Sequence, residues 1–395
     1  MVLVAVQLST GRRGALWRDA RVLAVAGQIV FVLAIVLLAA LAYANMMRGL
    51  ERLGLRLQLG FLSLEAGFGI SEGIAYNPGD SYGRAFVVGV VNTLRVSVAG
   101  IILATVVGLL VGIGRLSSNW LIRFLSTVYV ETFRNTPLLL QLIFWYTGVI
   151  LKLPPVRQSL SVADRVYLNQ RGVFLPRPVP SETFALWAWT LVACVAAAAA
   201  VYAWRRRVAL REDRPGFPFA AAAGVLVAGA AISWFALPSA PLEWQVPVLQ
   251  GFNFRGGIQL SPEFAALLLG LVLYTGAFIA EVVRGGIQSI PKGQWEAAQS
   301  LGLRPGMTMY LVILPQALRI IIPPVTSQYL NLVKNSSLST AIGFPDMFNI
   351  GVTIMNQTGQ SLPVFGLIMA TYLSFSLVTA LIMNWYNRRF RLVER

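Results

Sequence analysis

Eight stretches of this chain are long and apolar enough to cross a bilayer: about 22–44, 85–112, 121–150, 184–204, 217–237, 263–284, 308–332 and 362–384. A spanning helix needs about 20 mostly apolar residues. In hydrocarbon its backbone must satisfy its own hydrogen bonds, which leaves helices as the solution for such runs. The pattern predicts an all-α polytopic membrane protein with about eight transmembrane helices. Only 12% of the 395 residues are charged and 56% are hydrophobic, against about a quarter charged in soluble chains. The last gap, near 335–361, contains IGFPDMFNIGVTIMN, which is too short and broken to span and reads as a re-entrant or interfacial piece.

The net charge of +16 would suit nucleic acid only if it formed a dense basic face. The arginines instead collect in gaps between spans, so no nucleic-acid partner is expected. The gap set that includes the N-terminus holds 18 basic and five acidic residues, and the alternate set holds 11 and nine. Positive charge gathers on the cytoplasmic side, which predicts a multi-pass membrane protein with both termini cytoplasmic. Four arginines precede the first apolar run, which is too long for a cleavable signal. Histidine is absent and Cys194 is the sole cysteine. The usual general base and the usual metal ligands are therefore missing, and no catalytic or metal-binding residues are expected.

Charged side chains within spans cost at least a few kcal/mol each, which makes them functional candidates. In ETFRNTPLLLQLIFWY, Glu131 and Arg134 stand three apart, on one helical face where they can pair. Asn135, Thr136 and Pro137 follow, and the proline predicts a kink or break. In AFIAEVVRGGI, Glu281 and Arg284 repeat the same spacing. Either pair can lock helix packing or line the path of a polar, zwitterionic solute. The candidate pathway set is Glu131, Arg134, Asn135, Thr136, Glu281 and Arg284. Arg95 and Arg319 are weaker signals.

Between the sixth and seventh runs lies GQWEAAQSLGLRPGMTMYLVILP. Pro291 suits a first helical turn, and Gly302 suits a left-handed C-terminal cap. A helix of about ten residues is predicted, roughly 15 Å long and too short to be stable alone. Ala297, Ala298 and Leu301 give it a compact face, since Ala298 and Leu301 stand three apart. Its support is either the protein's own bundle or a groove on a cytoplasmic partner, and composition alone favours a plain interfacial connector. Two further segments read as additions. MRGLERLGLRLQLGFLSLEAGFGI, within 45–83, can lie along the membrane surface or tuck against the bundle. Residues 151–260 hold two Ala- and Val-rich spans of lipid-facing character.

EAAQSLGLRPGMTMYLVILP resembles the cytoplasmic loop signature of ABC importer permeases through Glu296, Ala297, Ala298, Gly302, Leu314 and Pro315. Val312 stands where that family usually has Ile. ETFRNTPLLLQLIF, NTLRVSVAGIILATVVGLLVG, IAEVVRGGIQSIPKGQWEAAQSLG and NLVKNSSLSTAIG are similar to its polar amino acid (histidine/glutamine-type) branch. The external segment and the long insertion resemble the longer permease of general L-amino acid transporters.

The resemblance implies a type I ABC importer (MetI-like) core of five helices plus three peripheral ones. It divides the chain into 1–83 (tail, first helix, external segment), 84–150 (first part of the core), 151–260 (inserted two-helix hairpin with external loops) and 261–390 (second part). The coupling loop is 285–307, and 391–395 form a cytoplasmic tail. It further implies that Gly293, Gln294, Glu296, Ala297, Ala298 and Gly302 contact an ATPase. The implied partners are a second homologous permease, two ATPase subunits, an external amino-acid-binding protein and membrane lipids. A Walker A loop ends in Gly-Lys, and Lys152, Lys292 and Lys334 all lack a preceding glycine. ATP and Mg are thus expected on the partner ATPase, with no cofactor on this chain and no enzyme activity of its own. The alternative is a self-contained secondary transporter or channel. Such carriers usually show repeated halves, and no repeat spans this chain.

Overall fold

The computed structural model describes residues 20–52, 59–212 and 217–390. The N-terminal arginines before residue 20 and the tail 391–395 lie outside the described residues. Helix α1 (Ala20–Arg52) precedes α2 (Tyr82–Gly114), α3 (Trp120–Asn135) and α4 (Leu138–Ile143). A hairpin of α5 (Phe184–Glu212) and α6 (Pro218–Ala236) follows. The chain then forms α7 (Pro262–Gln288), α8 (Lys292–Ser300), α9 (Pro305–Thr308), α10 (Leu314–Asn335), α11 (Met347–Thr358) and α12 (Ser361–Phe390).

Among the described residues, seven helices are long and apolar enough to span, one fewer than the eight apolar runs. The difference lies in the third run, which is broken where Asn135, Thr136 and Pro137 meet. Thr136 is extended and Pro137 begins a new helix, α4. Beyond Ile143 the path widens into a π-type turn over Phe144–Val149 and tightens over Ile150–Lys152. The break frees backbone carbonyls, which are tolerated at membrane depth only when something re-satisfies them. Gln141, 5% exposed, does so. Its Nε2 donates to Phe133 O at 3.0 Å and to Thr136 O at 2.9 Å.

The core is built on the α2–α7 crossing. Tight approach in a membrane bundle requires small residues at the contact. A Cβ on Gly112 would sit 2.8 Å from Ala280 O, so a side chain there would force the helices apart. Val96, Leu142, Leu267, Ile279, Ile313 and Leu332 form the buried centre. A second cluster joins Phe61 and Ala66 to Met347, Ile350 and Ile354. The segment before α2 is therefore tucked against the bundle. Asn92 Nδ2 also donates to Glu72 O at 2.9 Å, and Ser261 Oγ donates to Glu72 Oε2. Burial holds the Glu72 carboxyl above the usual carboxylate range. The 335–361 gap contains α11, which is too short to span. It is capped by Asp346 at its start and by left-handed Gly359 at its end.

Helices α5 and α6 pack on each other and leave Trp189 73% and Phe235 84% exposed, the disposition expected of lipid-facing helices. Helix α1 is likewise exposed along its apolar length. Eight short strands flank the hairpin and have no counterpart in the reading of the sequence. β1 (Leu160–Val162), β2 (Val166–Asn169), β3 (Gly172–Leu175) and β8 (Ile258–Leu260) form one antiparallel sheet in that order. β4 (Arg177–Pro180) pairs with β5 (Leu242–Gln245), and β6 (Val248–Gln250) with β7 (Asn253–Arg255). Val156, Phe174 and Phe254 give this module a small core. β8 runs directly into the Ser261 cap of α7, whose Oγ accepts from Phe264 N at 3.0 Å.

Candidate functional site

The connector helix α8 forms where expected. Pro291 occupies the cap position rather than the first turn, which still requires no N–H from it. Gly302 takes a φ of +76°, which glycine alone adopts at little cost. The chain then folds back, with Leu303 N donating to Ala298 O at 3.2 Å and Gly302 N to Gln299 O at 2.8 Å. This satisfies the last carbonyls of the helix.

The two sides of α8 differ. Ala298 is 3% exposed, and Trp295 packs against the central core beside Met309 and Val312. Gln294 Oε1 accepts from Gln316 Nε2 on α10 at 3.1 Å. Gly293, Gln294, Glu296, Ala297 and Gly302 are all exposed. Leu301 does not share the buried face with Ala298, as its helical spacing suggested; it is 81% exposed. The helix turn at Leu301 opens as Gly302 reverses the chain, and the side chain swings away from the bundle. The helix is thus anchored by Trp295 and Ala298 and presents an open face around Ala297 and Leu301. Trp295 belongs to this element and was not singled out from the sequence.

One helix upstream, Glu281 is the centre of a charged hub. It accepts from Arg115 at the end of α2 and from Arg284, with a further bond from Arg284 Nε at 3.2 Å. Arg134 Nη1 stands 3.9 Å from the same carboxylate, and its guanidinium lies 5.3 Å above the Phe278 ring. Glu131 lies 3.8 Å from Arg115 Nη2. The expected Glu281–Arg284 pair is present, whereas Arg134 reaches across to Glu281 rather than back to Glu131. Spacing permits the local pair, but a carboxylate already holding two arginines is the stronger attractor. Asn135 and Thr136 bond locally, to Glu131 at 3.3 Å and to Thr132 O at 2.8 Å, and do not join the hub. Arg115, counted from the sequence as a loop charge, is its missing member. The hub ties α2, α3 and α7 together immediately before α8.

On the same face of α7, Tyr274, Thr275 and Phe278 border a recess of about 230 Å³ with Gln328, Asn331 and Asn335 of α10. The three amides recur at three- and four-residue intervals, which places them on one helical face. A concave site with a few convergent polar groups is where a small solute binds. The recess carries no formal charge, and Phe278 links it to Arg134 and the hub.

The binding-protein-dependent transport system inner membrane component family matches residues 216–392. The putative amino-acid ABC transporter permease protein YhdX of Escherichia coli (strain K12) is 46% identical over 372 residues, 93% of this chain and 94% of the relative. The general L-amino acid transport system permease protein AapQ of Rhizobium johnstonii is 48% identical, covering 85% and 84% respectively. The glutamate/glutamine/aspartate/asparagine transport system permease protein BztB of Rhodobacter capsulatus is 39% identical over 93% and 92%. With likeness of this degree across both core and insertion, and with the multi-pass helical fold, the chain belongs to the amino-acid ABC transporter permease family as a membrane transport subunit.

Proposed function

We propose that this chain moves L-amino acids inward across a bacterial inner membrane as one permease of an ATP-driven importer. The observation that carries the reading is α8, a helix anchored on one side and open on the other, placed directly after the Glu281 hub. A separate ATPase grips the open face through Gly293, Gln294, Glu296, Ala297 and Gly302, while Ala298 seats the helix on the bundle. ATP and Mg are held by that ATPase. Closure of the ATPase dimer pushes α8, and Ile290–Pro291 transmits the displacement to α7. Because Glu281 joins α7 to Arg115 and Arg134, the three helices shift together, and access to the polar recess alternates between the two sides.

The core comprises 84–150 and 261–390, with coupling loop 285–307, and 1–83, 151–260 and 391–395 lie at its periphery. A second homologous permease completes the pathway, an external binding protein delivers the solute, and both termini are cytoplasmic. An uncharged, amide-lined recess suits a solute that is zwitterionic at its backbone and varied in its side chain. The names of the relatives, covering general L-amino acids and a four-amino-acid set, support that breadth. The test is uptake of one labelled L-amino acid by the assembled transporter, competed by each of the twenty. Several polar amino acids should compete. Absence of uptake for every amino acid tried would overturn the assignment.

A further inference from the structure

The strand module and α8 lie at opposite ends of α7, because β8 leads into its first turn and α8 follows its last. Among the described residues, β1 ends its sheet with one edge unpaired, and β6 pairs with β7 alone. Open strand edges of this kind do not occur in hydrocarbon, so the module stands in water. Its face is nevertheless partly apolar. A cleft of about 300 Å³ opens between β1 and β6, with Tyr167, Val248, Leu249 and Phe254 in its lining. Tyr167 and Phe254 stack at 4.5 Å, and Val248 and Leu249 are exposed.

Arg157 also lines this cleft, and its guanidinium lies 5.2 Å above the ring of Phe252. Phe252 projects from the turn between β6 and β7 and is 75% exposed. Arg171 Nη1 donates to Phe252 O at 3.1 Å from another strand connection. An exposed aromatic ring held by two arginines, beside an open apolar cleft, has the composition of an interface hot spot. Lipid covers the apolar surface of α5 and α6, but it does not reach a module that stands in water, where an apolar patch marks a protein contact.

Charge specifies the partner. On the side of the membrane opposite α8, 151–183 and 237–261 hold six of the 11 basic residues and three of the nine acidic ones. The rest of that side holds five and six. All six basic residues are exposed, and none enters an ion pair among the described residues. Topology does not account for them, because Lys and Arg ordinarily gather on the cytoplasmic side. A basic surface steers and orients an acidic one.

We propose that the strand module is the docking surface for an acidic face of the external binding protein, with Arg157, Arg171 and Phe252 at the centre of the contact. This rests on the reading of the chain as an importer permease. The module is well placed for it, since β8 continues into α7, the helix that carries Glu281 and leads to α8.

The test measures binding of the transporter's purified, amino-acid-loaded external binding protein to the complete transporter. The transporter is held in nanodiscs of phosphatidylcholine, and the measurement is repeated with phosphatidylglycerol added. Wild-type affinity should fall as salt rises. Arg157→Glu should weaken binding at least tenfold and flatten its salt dependence. Phe252→Ala should weaken it by a similar factor with the salt dependence retained. Both side chains are exposed, and unchanged unfolding midpoints would establish that the variants remain folded; Arg157→Gln supplies a milder change if Arg157→Glu does not fold. Variants that bind like the wild type would overturn the site alone, as would a loss confined to the anionic discs, which would assign the arginines to lipid. Absence of binding to the wild type would overturn the site together with the importer reading.

Discussion

Replacing Glu281 by Gln is expected to stop transport and to loosen the bundle. The carboxylate is the common partner of Arg115, Arg134 and Arg284. Without its charge, three guanidinium groups from three helices face one another with Glu131 as the remaining acid. Removing one partner of a fully buried pair costs about 3–5 kcal/mol. The Glu281 side chain keeps 26% exposure, and solvent screening lowers the expected loss to about 2 kcal/mol. That corresponds to a midpoint lower by about 2 °C. Uptake should fall further than stability does, at least tenfold, because α2 and α3 no longer follow α7. Thermal unfolding and amino acid uptake on the same preparation check both parts. Wild-type values for both would remove the hub from the mechanism.

The second large effect is expected at α8, where adjacent residues have opposite roles. Ala297 is exposed and Ala298 is buried against the bundle. Ala297→Arg places a long cation on the open face, where close approach needs a small side chain. The chain should fold and insert normally, yet retain a co-purifying ATPase at least tenfold less well, a loss of about 1.4 kcal/mol or more in binding. Ala298→Arg should instead impair folding, because a charge would be forced into the core. If the two variants behave alike, the division of the helix into an anchored and an open side is wrong.

The parts of this molecule written in local chemistry were legible in the sequence. Apolar runs gave the spans, Pro137 the break, Pro291 and Gly302 the limits of α8. Features that depend on which helix lies opposite were not. Arg115 looked like an ordinary loop charge, because its partner is 166 residues away. The amides of Gln328, Asn331 and Asn335 share a helical face, but the pattern gained meaning only once Tyr274 and Thr275 stood across from them. The short strands escaped because three or four residues carry too little alternation to show a period of two. The inward face of α8 was misassigned at Leu301 because a left-handed glycine changes where the residue before it points.

In the proposed function, movement of solute is driven through α8 by ATP hydrolysed on another chain. It is tested most directly in proteoliposomes that contain the complete transporter, with the proton gradient collapsed by an uncoupler and ATP either supplied or withheld on the α8 side. Labelled amino acid should accumulate with ATP at its full rate despite the collapsed gradient, and should not accumulate without ATP. Uptake that disappears with the gradient while ATP is maintained would contradict the account and mark the chain as a self-contained secondary carrier.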